Sequence, residues 1–272
     1  MSAPPILQTN PVREVIVARA LQVSVISALG LGALQLLGGV KLVRRVAPWS
    51  IPLTSVALSG YFVATFSPRT RYPGTTLRIR LTGEEAKTSV ALTFDDGPDP
   101  ETTPGLLAAL RAADARATFF LVGERAARYP DLVREIARDG HAIGIHGLRH
   151  QTMALQNARE IARDLVHAQA NIEDAVGNAL TTRLLRPPYG FRTWTLARTA
   201  DRLGWATIAW SFDPRDYDPV TPTALARRLT VGLRAGDIVL LHERPNGPTA
   251  LALPEILAHC RERGWQCVAL KG

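Results

Sequence analysis

From Thr88 to the C-terminus the chain alternates short apolar runs with amphipathic helical patterns, and this alternation constrains the fold more than any other feature. Strand-length runs fall at Val90 to Phe94, Ala117 to Leu121, Ala142 to Ile145, Leu184 to Arg186, Trp205 to Trp210, Ile238 to Leu241 and Gln266 to Leu270. Between them, helical periodicity covers Ala158 to Val176, Trp194 to Leu203, Thr223 to Leu233 and Pro254 to Arg263. Thr103 is placed to cap a further helix with Pro104 in its first turn, and another opens at Pro130 and closes at Gly140. Strands separated by helices run parallel through right-handed crossovers, which leaves an open doubly wound sheet or a TIM-like barrel. Seven strands favour the barrel. Upstream, Leu77, Ile79 and Leu81 alternate with Arg78 and Arg80, a half-exposed strand over Thr75 to Leu81 that leads into the domain.

In a parallel α/β fold, functional groups gather where strands end and loops begin. The polar residues here fall at those ends. Asp95 and Asp96 follow the first run, His146 and His150 the third, and Arg186 ends the fourth; Asp213 and Asp216 follow the fifth, and His242 the sixth. One helical turn would put His146 and His150 on a common face, where two imidazoles can share an ion. That spacing alone more often marks two solvated histidines. A carboxylate from a neighbouring strand end changes the balance, because two histidines, one carboxylate and an open position suit catalytic zinc, and also admit iron, cobalt or nickel. Successive side chains on a strand point to opposite sides, so Asp95 and Asp96 can divide the work, one toward a metal and one toward a reacting group. The plain alternative is turn chemistry, since Asp-Gly-Pro is an ordinary turn sequence.

Taken together, these segments resemble the polysaccharide deacetylases of carbohydrate esterase family four, over about Lys87 to Leu270. Thr93-Phe94-Asp95-Asp96 is similar to the family's first motif and His146-Gly147-Leu148-Arg149-His150 to its second. Arg186-Pro187-Pro188-Tyr189-Gly190, Asp213-Pro214-Arg215-Asp216-Tyr217 and Leu240-Leu241-His242 follow as the third, fourth and fifth. The resemblance implies a distorted (β/α)7 barrel in which Asp96, His146 and His150 bind the metal and Asp95 is the general base. It implies that Arg186 orients Asp95, that His242 is the general acid, and that Asp216 tunes it. The backbone N–H of Tyr189 would hold the oxyanion, with Leu240, Tyr217 and Asp213 beside the acyl group. Such roles are chemically coherent, because an amide is a poor electrophile and its amine a poor leaving group until protonated. Two positions depart from the family pattern: Gly147 replaces the usual Ser or Thr, removing a hydroxyl that would brace the metal loop, and Glu243 replaces an aspartate, a change expected to be minor.

The first seventy residues read differently. Ala20 to Val40 is an uncharged stretch of 21 residues rich in Leu, Val, Ile, Ala and Gly, enough to cross a bilayer core as a helix, with a buried helix or helical hairpin as the alternative. A second uncharged stretch, Val46 to Pro68, is interrupted by Pro48 and Pro52, leaving Leu53 to Phe66 as a second span or an interfacial segment. The expected organisation is a membrane anchor over 1–68, a lead-in over 69–87 and a catalytic domain over 88–272. Arginines on both sides of these stretches give no clear orientation. An extracytoplasmic catalytic domain is the first expectation and a cytoplasmic one the alternative.

A net charge of +8 is compatible with nucleic acid, anionic lipid or acidic glycan, but the arginines are scattered and lack aromatic interleaving, so nucleic acid is not the expected partner. Cys260 and Cys267 are too few for a disulfide framework and lack zinc-ribbon spacing. The expected function is metal-dependent removal of N-acetyl groups from a glycan such as peptidoglycan or a chitin-like polymer. Deacylation or deformylation of a lipid-linked amino sugar is the alternative enzyme, and a membrane-tethered carbohydrate-binding module the non-enzymatic one.

Overall fold

The structure is a computed structural model that describes residues 70–272. Both uncharged stretches, Ala20 to Val40 and Val46 to Pro68, lie outside the described residues. Among the described residues no helix is long and apolar enough to cross a membrane.

Among the described residues eight strands, β1 (Leu77–Arg78), β2 (Ser89–Asp95), β3 (Thr118–Leu121), β4 (Ala142–Ile145), β5 (Leu184–Leu185), β6 (Ala206–Ile208), β7 (Ile238–His242) and β8 (Gln266–Cys267), form one sheet. Their order is β1-β6-β5-β4-β3-β2-β7, with β8 paired to β2 off this path, and every named pair is parallel. Past β6 the chain touches β7 again through the parallel bridge Phe212↔Val239, so the sheet curls back on itself as a distorted α/β barrel. Among the described residues seven α-helices surround it: α1 (Thr103–Ala112), α2 (Gly123–Arg128), α3 (Pro130–Arg138), α4 (Ala158–Val176), α5 (Trp194–Arg202), α6 (Pro222–Gly232) and α7 (Thr249–Glu262).

Strand parity sorts the side chains into two cores. Val90, Leu92 and Phe94 of β2, with Val239 and Leu241 of β7, pack outward against the helices. Alternate residues fill the barrel interior, where Ala91, Phe120, Leu184, Ile208 and Ile238 form a smaller apolar plug closed by Leu270. The same inward parity continues upward into polar groups: Thr93 and Asp95 above Ala91, Arg186 above Leu184, and His242 above Leu240 and Ile238. The barrel is thus apolar at one end and chemically equipped at the other.

Several expected boundaries move. The lead-in strand shrinks to Leu77–Arg78 because side chains replace its ladder: Arg192 donates to the Thr70 and Thr76 carbonyls and to Thr75 Oγ1, while Asp201 accepts from Thr76 N. Trp205 to Trp210 shortens to β6 for a similar reason, since Arg186 takes the carbonyls of Ile208 and Ala209. Thr103 is the first residue of α1 rather than its cap; Thr102 holds the cap position, and Asp99 Oδ1 accepts the Glu101 and Thr102 amides. Pro254 lies inside α7, which starts at Thr249, so it does not open that helix. The long helix α4 follows the usual rules, with Asn157 and Glu160 forming a capping box and Gly177 a left-handed C-cap.

Candidate active site

At the C-terminal ends of β2 and β4, one ligating atom each from Asp96, His146 and His150 come within 4.8 Å of one another. His146 directly follows β4 and is buried; His150 is not on a helix. The histidine pair converges through a loop in which Gly147 (φ 78°) and His150 (φ 53°) take left-handed conformations, so the expected helical turn is corrected to an irregular one. An L-residue at Gly147 would carry backbone strain there, and the hydroxyl brace is replaced by Asp164 of α4, whose Oδ1 accepts the Leu148 amide at 2.9 Å.

The tautomer of His146 tests whether a metal fits. Its Nδ1 lies 2.8 Å from the Arg186 carbonyl, which can only accept, so Nδ1 carries the proton. In the neutral ring, Nε2 then presents a lone pair to Asp96 Oδ1 at 3.4 Å and to Asp95 Oδ2 at 3.9 Å. Asp96 Oδ1 is buried without a hydrogen-bond donor, although His150 Nε2 lies 2.9 Å away. Three donor atoms gathered this closely could hold a cation between them. The donor set of two imidazoles and a carboxylate fits a divalent transition metal.

On one side of this cluster stands Asp95, 2% exposed. Arg186, fully buried, donates from Nη1 to Asp95 Oδ1 at 2.7 Å and to Thr93 Oγ1 at 2.6 Å, and its guanidinium lies 4.3 Å from the Phe120 ring centroid. The remaining guanidinium bonds go to the Ile208 and Ala209 carbonyls. Arg186 is therefore fixed by three strands and holds one oxygen of Asp95.

On the other side stands His242, bound at Nδ1 by Asp216 Oδ1 at 2.7 Å. Asp216 Oδ2 also accepts from the His242 amide at 2.7 Å and from Thr249 Oγ1 at 2.8 Å. Burial would lower the imidazole, but the bond to Asp216 and the charge of that carboxylate push it up to about 9. It is therefore protonated at neutral pH and loses its proton as the pH climbs through that value. Asp216→Asn is expected to keep the accepting oxygen but lose the charge. The alkaline limb of the rate profile should then fall from about 9 toward the ordinary 6.5, read as the pH dependence of kcat. A limb that stays near 9 would detach Asp216 from this role.

The remaining expected residues are also placed. Tyr189 has φ 62°; its ring packs 4.7 Å from that of His150, and its backbone N–H makes no hydrogen bond among the described residues. Leu240 is buried on the inward side of β7. Tyr217 stands edge-on to His242 at 5.5 Å, with its hydroxyl on Asp213 Oδ2 at 2.9 Å. Asp213 thus holds Tyr217 beside the site.

Sequence reasoning missed several supporting groups. Arg125 donates to the Asp96 carbonyl at 2.8 Å, and Thr249 braces Asp216. Glu243, expected to be a minor replacement, is fully buried; its Oε2 accepts from Thr103 Oγ1, and its carboxyl sits where a Cβ on Gly97 would be. Gly97 is required by that close approach. Burial pushes the Glu243 carboxyl up to about 8, so it is neutral at pH 7 and props the Asp96 loop as an uncharged group. No local pattern marks these residues, because each acts on a partner far away in sequence.

Comparison with known proteins agrees with this arrangement. The polysaccharide deacetylase family profile matches residues 82–208. A peptidoglycan-N-acetylglucosamine deacetylase of Bacillus cereus is 35% identical over 185 residues, 66% of this chain and 85% of the relative. A chitooligosaccharide deacetylase of Azorhizobium caulinodans is 34% identical over 157 residues, 58% of this chain and 74% of that protein. The solved structure of a family 4 carbohydrate esterase from Streptomyces lividans with acetate superposes with a TM-score of 0.61 at 31% identity, covering 66% of this chain and 91% of that one. With motif residues converging on one end of a parallel barrel and relatives aligned over most of their length, the chain belongs to the polysaccharide deacetylases, the family 4 carbohydrate esterases, and is a hydrolase.

Proposed function

We propose that this enzyme removes N-acetyl groups from amino sugars of a glycan, with Asp96, His146 and His150 holding a divalent metal, zinc by choice of donors. The observation that carries the reading is the flanking of that cluster by two carboxylate-bound groups of opposite task, Arg186–Asp95 and Asp216–His242. When bound, a zinc ion supplies Lewis acidity to the amide carbonyl and acidity to water. Asp95 acts as the general base: Arg186 engages Oδ1, which leaves Oδ2 to take the proton of the attacking water. His242 acts as the general acid: Asp216 engages Nδ1, so Nε2 donates to the departing amine. The Tyr189 N–H points the oxyanion, and Leu240 and Tyr217 bound an acyl pocket suited to a small group.

The relatives named above act on peptidoglycan and chitooligosaccharides, which supports an N-acetylglucosamine-containing substrate for this chain. Residues 1–68 serve as a membrane anchor in this reading and 69–87 as its connection to a catalytic domain over 88–272, on the extracytoplasmic side where surface glycans lie. The test is acetate release by the full chain in detergent from N-acetylglucosamine oligomers and from peptidoglycan. Release that a chelator abolishes and zinc restores is expected; release that survives exhaustive chelation would remove the metal from the account.

A further inference from the structure

The three residues assigned to the metal come from two separate segments, Asp96 from the end of β2 and His146 and His150 from the loop after β4. Ligand atoms must meet one ion at about 2 Å, so the two segments have to be held at a fixed separation. The carboxylate segment is held through three successive carbonyls. The Glu243 amide donates to the Asp95 carbonyl at 2.9 Å, Arg125 Nη1 to the Asp96 carbonyl at 2.8 Å and the Val122 amide to the Gly97 carbonyl at 2.8 Å. Two of these donors are backbone amides; the third is the half-buried side chain of Arg125. It acts on the residue that most needs support, since Asp96 sits at φ 75°, a left-handed conformation that a non-glycine residue keeps only where its surroundings impose it.

The same short stretch of chain also holds the histidine loop. The Gly123 amide donates to the Gly147 carbonyl at 3.0 Å and the Glu124 amide to the Leu148 carbonyl at 2.9 Å, both between the two histidines in sequence. Residues 122–125, at the start of α2, are thus a bracket with one arm on each ligand segment. The bracket is itself anchored. Asn171 Nδ2 of α4 donates to the Gly123 carbonyl at 3.2 Å, and a Cβ on Gly123 would lie 2.8 Å from Ala168 Cα, so α2 meets α4 at a distance that only glycine allows. The Asp96 segment is packed with as little slack, since a Cβ on Gly97 would fall 1.7 Å from Glu243 Oε1.

We propose that Arg125 is a positioning residue for the metal: its bond to the Asp96 carbonyl fixes that carboxylate against the two imidazoles and thereby sets the affinity for zinc. This rests on the reading that Asp96, His146 and His150 hold the metal, and deepens it. The bond goes to the main-chain oxygen of Asp96 and not to its carboxylate, so Arg125 works through the backbone of the ligand. Charge and position predict opposite signs here. A guanidinium close to a divalent cation repels it, so if Arg125 acted only as a charge, its removal would tighten zinc binding. As an arm of the bracket, its removal frees Asp96 to leave φ 75° for an ordinary conformation, which carries the carboxylate away from the histidines and weakens zinc binding.

The experiment measures zinc dissociation constants by chelator competition on the full chain in detergent, for wild type, Arg125→Ala, Arg125→Lys and, as control, Arg128→Ala at an exposed position of α2. Each protein is also loaded with cobalt, whose visible spectrum reports ligand geometry, and melted in its metal-free form. Arg125→Ala is expected to bind zinc about 10- to 100-fold more weakly, with an altered cobalt spectrum and an unchanged metal-free melting temperature. Arg125→Lys should recover part of the affinity, because an ammonium still donates to a carbonyl, and Arg128→Ala should match wild type. Zinc binding by Arg125→Ala that equals or exceeds wild type overturns the inference. So does a loss of affinity that accompanies a fall in the metal-free melting temperature and is not relieved in Arg125→Lys, which would make Arg125 a general support of the fold. Should Arg125→Ala not fold, Arg125→Lys decides: intermediate affinity with an altered cobalt spectrum supports the inference, and wild-type values overturn it. A wild-type chain that binds no zinc refutes the metal reading and this inference with it, whereas wild-type zinc binding that Arg125→Ala retains refutes this inference alone.

Discussion

Asp95→Asn is expected to lower kcat by roughly 10²- to 10⁴-fold, the usual contribution of a positioned general base, while the bound metal stays at its wild-type stoichiometry. Asparagine keeps the shape and one oxygen to accept from Arg186, so the barrel loses no packing at a residue only 2% exposed. What it loses is the acceptor that takes a proton from water. The separation from Asp96 is the informative part. Asp95 Oδ2 lies 3.9 Å from His146 Nε2, whereas Asp96 Oδ1 lies 3.4 Å from His146 Nε2 and 2.9 Å from His150 Nε2. Metal content measured on the purified variant therefore distinguishes the two aspartates. A variant that loses metal along with activity would make Asp95 a ligand rather than a base.

Arg186→Met is expected to destabilise the domain by about 3–5 kcal/mol, the range for removing one partner of a buried ion pair. The side chain is fully buried and makes bonds to Asp95, Thr93 and the carbonyls of Ile208 and Ala209. Methionine fills much of the volume but leaves Asp95 charged without a counterion and two carbonyls without donors. For a domain of this size the melting temperature should fall by on the order of 10 °C. The double variant Arg186→Met/Asp95→Asn should recover part of that loss, because the uncompensated charge is gone. Thermal unfolding of both variants in buffered zinc measures this; a single variant that melts within a degree or two of wild type would show that Arg186 is not the clamp described above.

Much of the barrel was readable because burial on both faces of a parallel sheet leaves short apolar runs, and these mapped onto β2, β3, β4 and β7 within one or two residues. The failures have specific causes. Helix α2 (Gly123–Arg128) is six residues long, too short to show a periodic apolar face. Pro254 looked like a helix start because proline favours the first turn, yet in α7 it sits a turn and a half in. At His146–His150 the spacing pointed to two side chains that do converge, but not through a helical turn, since Gly147 and His150 adopt positive φ where a helix was expected. The convergence of Asp96, His146 and His150 is a tertiary fact that the strand ends made readable. The bracing by Asp164, Thr249, Arg125 and Glu243 was not, because each of these side chains meets its partner across 16 or more residues of sequence.

The central claim is that one metal, held by Asp96, His146 and His150, is required for deacylation by this chain. Its most direct measurement is acetate release from N-acetylglucosamine oligomers by the metal-stripped full chain, titrated with zinc and compared with His150→Ala. His150 is the most exposed of the three residues assigned to the metal, so its loss should leave the fold intact. The account predicts activity that rises linearly and saturates at one zinc per chain in the wild type. His150→Ala should show weakened zinc binding and at least about 10-fold lower activity at the same zinc concentration. Full activity in the stripped enzyme, or a His150→Ala titration that overlays the wild type, would contradict it.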